Sequence, residues 1–443
     1  MNKKILLVND TSEANNWGCK ATTKALKQKV MLHGSIVDTF YLKELKDFSF
    51  EYKGLTYGVP KDYKEFVAYE SFFEDAQHMP ELGKRIQNVD VVFINGEGSV
   101  YDLQVKGVSI LFIAYLAKHI FKKEVHFVNH TVDLSDPVMQ GIVSKVYPIL
   151  DHVAVREPVS YREVKSILPY MPLSLVPDYV FDYVPDPKLD RIYLEKKYGI
   201  NIKSKYVCVS GSSFMSRKDR PEINVVELFT ELCKKLSRIF DQVVVICPCG
   251  PEHKIFTPMA EKNNFTLVPR DTPTEDAISV LSQASLYVGG RWHPSIFAVL
   301  GGTPLIKFSA NTQKTRGIIE MIGLEEPCFD VFNLENEMPK MLELAKIFLT
   351  KNKYYKKHIL RRVEVLKKYT QFNHQIGQEV KVANFFYDRK MKSYKSPCSR
   401  EFLYEQMVNF EKYISHYQKR IGMDQLIIDH YQQGQEIKND NEL

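Results

Sequence analysis

Near-continuous apolar segments alternate with helical ones twice along the chain, and this rhythm constrains the fold more than any other feature. In the first half the apolar segments are KILLVND, VDVVFINGEGSV, EVHFVNHTVD and HVAVREPVS. In the second they are YVCVSGSS, QVVVICPCG, FTLVPRD, SLYVGG and TPLIKF. A strand without a polar face has to be covered on both sides, which a parallel sheet with helical crossovers achieves. The reading is therefore α/β, with two doubly wound Rossmann-like domains facing each other across a cleft. The first is placed at residues 1–180 and the second at 190–350, joined through the Pro- and Asp-rich PDYVFDYVPDPKLD. Residues 351–443 read as a helical C-terminal extension that packs back on the body. The segment TPTEDAISVLSQA opens with a capping-box pattern, Thr272 with Glu275.

Composition narrows the partners. A net charge of +6 over 443 residues is mild and gives no nucleic-acid signature. It suits an anionic small substrate or an anionic membrane face. The start MNKKILLVND has too short an apolar run for a signal peptide. The longest apolar run, VSILFIAYLAKHIF, is broken by Lys118 and His119, short of the roughly 20 residues that a membrane span needs. Seven scattered cysteines include only a C-P-C pair, Cys247 and Cys249, not the spaced pairs of a zinc site. Free thiols, no metal and a cytoplasmic location are expected.

Ligands of doubly wound sheets bind at the carboxyl ends of strands, so polar residues at those ends are the candidates. Arg291, Trp292 and His293 stand between the strand SLYVGG and the apolar helix SIFAVLGG. A helix N-terminus leaves N–H groups unpaired and carries partial positive charge. An anion there would be held by backbone, dipole and Arg291 together. A histidine at that position, His293, suits acid or base work. The plainer alternative is a capped loop with Arg291 in an ion pair and Trp292 in a domain interface. Lys314 sits in the loop after the next strand, as an anion ligand or simply a solvated loop lysine. Gly96 and Gly98 allow close approach of backbone to a ligand, or only make a tight turn. Glu97 between them fits sugar hydroxyls, or a base, better than phosphate. Asn16 and Gly18 form a helix-entry loop. Arg156 is a second anion ligand or an ion-pair partner of Glu157 or Glu163. His130 ends a strand, but a lone histidine also serves as a satisfied core residue. The basic run KNKYYKKHILRRVEVLKKY has Tyr355, Ile359, Val363 and Leu366 at helical spacing. It reads as a packed helix with a solvated basic face, or one drawn to anionic lipid.

In this order, NNWGCKA, INGEGSVYD, VREPVSYREV, VPDYVFDY, GGRWHPSIFAVLGGTPLIKF and QKTRGIIEMIGL resemble the polysaccharide pyruvyl transferase family over about residues 1–330. The resemblance implies a two-domain protein of GT-B type. It implies transfer of an enolpyruvyl-derived group from phosphoenolpyruvate to a sugar, forming a pyruvate ketal. Its most specific part is Gly289 or Gly290, Arg291, His293, Ala298, Gly302 and Pro304. Through it Arg291 and His293 bind the donor phosphate or carboxylate, and His293 is the candidate acid/base. The family's lysine matches Lys314, and its Arg–acid–x–x–Ser element matches Arg156, Glu157 and Ser160. Two loops depart from the pattern. Cys19 stands where the first loop has Asp, and Asn95-Gly96-Glu97-Gly98 replaces G-G-G. Both lie in the N-terminal, acceptor-facing domain.

The expected catalytic residues are His293, Arg291 and Lys314, and the donor site adds Arg156, Trp292 and Ser295. The acceptor side comprises Asn16, Trp17, Gly18, Gly96, Glu97, Gly98 and His130. Phosphoenolpyruvate is the donor substrate, with no cofactor. The acceptor is a sugar or lipid-linked oligosaccharide of a surface polysaccharide or its precursor, which brings in peripheral contact with the inner membrane face. Two other readings stay open. One is a glycosyltransferase using a nucleotide sugar, for which Glu335 and Glu343 are a poor ribose-binding pair. The other is a non-catalytic binding module in polysaccharide assembly, prompted by the altered N-terminal loops.

Overall fold

The apolar segments pair into two parallel six-stranded sheets in the computed structural model, which describes residues 2–183, 191–201, 203–213, 223–324 and 326–391. The first sheet holds β1 (Lys3–Asp10), β2 (Gly34–Tyr41), β5 (Val91–Val100), β6 (Glu124–Val132), β7 (His152–Val155) and β8 (Ser174–Leu175), in the order β2-β1-β5-β6-β7-β8. A separate hairpin pairs β3 (Ser49–Tyr52) with β4 (Leu55–Gly58). The second sheet holds β9 (Tyr206–Ser212), β10 (Gln242–Ile246), β11 (Thr266–Val268), β12 (Leu286–Gly290), β13 (Leu305–Phe308) and β14 (Cys328–Phe329), in the order β11-β10-β9-β12-β13-β14. Strand order reverses between β1 and β5 and again between β9 and β12. Each reversal opens a crevice at the carboxyl ends of the strands. All described residues belong to one compact unit, Met1–Ser393.

The fully apolar strands are the ones visible in the sequence. Those passed over have weaker signals. Most of the edge strand β2 is exposed or half-exposed, and β8 and β14 are two residues long. The ends of β1, β5 and β6 turn through left-handed residues: Asn9 at φ 69°, Glu97 at 45° and Asn129 at 58°. Asparagine tolerates that region, whereas another L residue is strained there by about 1–2 kcal/mol.

Two expectations are corrected. The first half of the stretch read as a linker is core: Asp178, Tyr179, Val180 and Phe181 are fully buried. Tyr179 packs with Ile5, Leu7, Leu26 and Phe93 of the first sheet's core. Residues 184–190 of that stretch lie outside the described residues. The capping box also does not form. The helix Thr274–Gln283 starts after Pro273 with no side-chain cap. Glu275 instead pairs with Lys24 at 2.8 Å and accepts from Tyr183 Oη at 3.0 Å.

The helix Asn352–Tyr369 buries the stripe of Tyr355, Ile359, Val363 and Leu366. The chain then returns to the edge of the first sheet. Leu175 N donates to Ala383 O at 2.7 Å, and Asn373 Nδ2 to Pro177 O at 2.9 Å. The rest of the expected C-terminal extension, 392–443, lies outside the described residues. Among those described, no helix is long and apolar enough to cross a membrane.

Candidate active site

The carboxyl ends of the two sheets meet around one buried carboxylate. Asp178 follows Pro177 at the exit of β8 and is fully buried. Its Oδ1 accepts from Val180 N at 3.0 Å and Thr22 Oγ1 at 3.1 Å. Its Oδ2 accepts from Arg156 Nη1 at 2.9 Å and Trp292 Nε1 at 3.1 Å, and lies 3.3 Å from His293 Nε2. Burial alone would raise this carboxyl's pKa, but His293 and Arg156 outweigh it and hold it well below the usual range. Thr22 and Arg156 come from the first half, Trp292 and His293 from the second. An asparagine chain braces the hub from below. Asn129 Nδ2 donates to Thr22 Oγ1 at 3.0 Å and Asn95 Oδ1 at 2.8 Å, and Asn9 Nδ2 donates to Asn95 O.

Cations line the cleft beside this hub. Arg156 also donates from Nε to Thr131 Oγ1 at 3.0 Å, and its guanidinium carbon lies 4.7 Å from the Trp292 ring centre. Gly98 faces two of the cations. A Cβ there would lie 3.7 Å from Arg156 Nη2 and 3.8 Å from Lys314 Nζ. Lys314 opens the helix Lys314–Met321, and its Nζ donates to Asn311 Oδ1 at 2.9 Å. Burial, then the charges of Arg156 and Arg291, push its pKa down to about 7. Behind it Lys307 is fully buried on β13, donating to Arg291 O at 3.0 Å and Ser295 Oγ at 2.5 Å. Burial depresses Lys307 to about 7 as well. Arg156 is balanced by Asp178. Arg291 is balanced by Glu252, to which its Nε donates at 2.7 Å, while its Nη2 donates to Cys249 Sγ at 3.0 Å. Lys314 and Lys307 have no ion-pair partner among the described residues.

His293 packs against the entry of the first helix. A Cβ on Gly18 would lie 1.9 Å from His293 Nδ1, so only glycine leaves room for the ring. Asn16 caps this helix, Trp17–Val30, accepting at Oδ1 from Gly18 N at 2.9 Å and Cys19 N at 3.4 Å. Trp17 is buried between the halves and donates from Nε1 to Arg270 O at 2.8 Å. Ser295 is buried beneath the loop as the partner of Lys307.

Arg156, Trp292, His293, Lys314, Gly18 and Gly98 therefore come together around Asp178 and the adjoining cations. His130 does not join them. It is fully buried, stacked on Phe127 at 4.4 Å and bonded through Nε2 to Tyr147 Oη at 2.7 Å. Burial, then Arg156, lowers its pKa to about 3. It supports Gly96 from below and presents nothing to an acceptor, which corrects the acceptor-side expectation. Arg291 is present at the helix start as expected, but much of its fork is already bound. Arg156 reaches Asp178 rather than Glu157 or Glu163. Glu157 caps the helix Pro158–Ile167, accepting from Val159 N at 2.8 Å and Ser160 N at 3.0 Å. Sequence reasoning missed Asp178, Lys307 and Glu252. A lysine inside the apolar LIKF was a usable signal for Lys307. Glu252 had none.

Two Rossmann-like halves joined at their strand ends define a fold of GT-B class. Solved structures agree. Trehalose 6-phosphate synthase from Burkholderia multivorans is similar with a TM-score of 0.51 and 12% identity, covering 84% of this chain and 97% of that one. The MnaA protein of S. aureus, solved with UDP, is similar with a TM-score of 0.50 and 14% identity, covering 82% and 94%. At such identity the likeness is one of fold alone. The sequence pattern of the family described as polysaccharide pyruvyl transferase matches residues 21–311, well over half of the chain. The chain belongs to that family. No curated protein matches it by sequence.

Proposed function

We propose that this chain transfers the pyruvyl group of phosphoenolpyruvate onto two hydroxyls of a sugar in a surface polysaccharide or its precursor. One observation carries the reading: Lys314 and Arg156 converge on Gly98 in a cleft that holds more cations than carboxylates. Phosphoenolpyruvate brings a phosphate and a carboxylate, which complement such a surplus. Lys314 and Arg156 take the donor, with Lys307 and the Arg291–Glu252 pair adding field and holding the loop. The Asp178–His293 pair supplies the proton chemistry. Asp178 faces Nε2 and stabilises the imidazolium, so His293 donates or relays the proton that turns the methylene carbon into a methyl group. One sugar hydroxyl adds at the central carbon and gives up its proton, which reloads His293. The second displaces phosphate, loses its proton and closes the ketal.

The nucleotide-sugar reading lacks support at the ribose position. Glu335 and Glu343 are both exposed on the helix Leu334–Thr350, not at the strand ends. The exposed Lys356, Lys357 and Arg361 leave a basic face that suits an acceptor carried on an anionic membrane from the cytoplasmic side.

The test is phosphate release from phosphoenolpyruvate with candidate sugar acceptors, with ketal formation followed by mass spectrometry. His293→Ala should lower turnover by about 10²–10⁴-fold while leaving the donor bound. Near wild-type turnover in that variant would remove His293 from the mechanism. Donor binding without any phosphate release would favour a non-catalytic module.

A further inference from the structure

Glu97 is a buried carboxylate immediately before Gly98, the residue that Arg156 and Lys314 face. It sits at the end of β5 in left-handed backbone, φ 45°, which is strained for an L side chain. Its side chain is buried, 6% exposed. Oε1 accepts from Thr11 Oγ1 at 2.6 Å, and Cys19 Sγ donates to Oε2 at 3.7 Å. Neither partner is a cation, and no basic group lies within ion-pair distance of it among the described residues. Its immediate neighbour Gly98 faces Arg156 Nη2 and Lys314 Nζ. The charged groups that act on this corner are Lys106, from the first turn of the helix Val105–Tyr115, Lys314 from across the cleft, and Arg156 from the end of β7. The Cys19 thiol is pushed up by burial and then by Glu97, so it adds no charge of its own near neutral pH.

We propose that Glu97 is a resident counter-charge of the donor pocket: it offsets Lys106 and Lys314 while the pocket is empty and opposes any anion held between Arg156, Lys314 and Gly98. This rests on reading that pocket as the donor site. Donor and product phosphate are held less tightly than the cations alone would hold them, and phosphate formed beside Glu97 leaves faster.

Phosphoenolpyruvate and inorganic phosphate, titrated calorimetrically into wild type, Glu97→Gln and Glu97→Gly at low salt, test the proposal. Gln removes the charge but can keep the Thr11 bond. Gly removes the charge and also the backbone strain, so its fold should be at least as stable. Both variants should bind both anions about tenfold tighter, as removal of a nearby like charge implies. The gain should shrink as salt rises. Unchanged or weaker binding of both anions in both variants overturns the counter-charge role. If the variants tighten phosphate but no form of the protein binds phosphoenolpyruvate, the counter-charge stands and the donor reading falls.

Discussion

The imidazole of His293 lies between one carboxylate and one missing side chain. Asp178 Oδ2 lies 3.3 Å from Nε2, and the bare Cα of Gly18 leaves space for the ring. Gly18→Ala places a methyl carbon 1.9 Å from Nδ1, so the ring has to move. Its turnover should fall as far as that of His293→Ala, with donor binding retained because Arg156 and Lys314 are untouched. A Gly18→Ala enzyme with normal turnover would show that the ring's position does not matter. At this scale the sequence exposed the charged residues that follow apolar strands: Arg156, Arg291, His293 and Lys314. It hid Asp178, because an aspartate after proline in an Asp- and Pro-rich stretch resembles solvated linker. Only the packing of Tyr179 and Phe181 into the core pulls that carboxylate out of water, and such packing depends on residues far away in sequence.

Strand ends and helix starts do the positioning. The helix Trp17–Val30 begins at Asn16, whose side chain ties down the N–H groups of Gly18 and Cys19. Asn16→Ala should lower stability by about 1 kcal/mol, the usual size of a lost N-cap, measured by urea unfolding. It should also loosen the Gly18 contact and lower turnover. A stability unchanged within error would mean that water or backbone replaces the cap. Continuous apolar strands and the stripe of the helix Asn352–Tyr369 were legible because burial on both faces, or along one face, writes itself into residue spacing. Short or half-exposed strands such as β2, β8 and β14 leave no such pattern. The Thr272–Glu275 box failed for a different reason. Across the cleft Glu275 finds Lys24 and Tyr183, and those tertiary partners override a local cap.

Across the whole molecule, the unbalanced cations couple stability to pH. Lys314 and Lys307 have folded pKa values near about 7, against an ordinary 10.5. Between those values the unfolded chain binds more protons at both sites than the folded one. Stability from this source therefore rises with pH across that window and is absent below it. Donor-induced stabilisation should move the opposite way, because neutral amines hold an anion less well. Melting curves at about pH 7 and pH 9, with and without phosphoenolpyruvate, check both signs. An equal donor-induced shift at the two values would mean that Lys314 stays charged or does not touch the donor.

In the proposed reaction the strand-end cleft binds phosphoenolpyruvate through Lys314 and Arg156. The most direct measurement is the melting temperature of wild type and Lys314→Ala with phosphoenolpyruvate, beside UDP and a sugar nucleotide. A ligand at a hundred times its dissociation constant adds about 2.7 kcal/mol, a readily measured shift. Phosphoenolpyruvate should raise the melting temperature of wild type, UDP and the sugar nucleotide should raise it little or not at all, and Lys314→Ala should abolish the rise. A rise with UDP or the sugar nucleotide alone, unaffected by Lys314→Ala, would contradict this and make the cleft a nucleotide site.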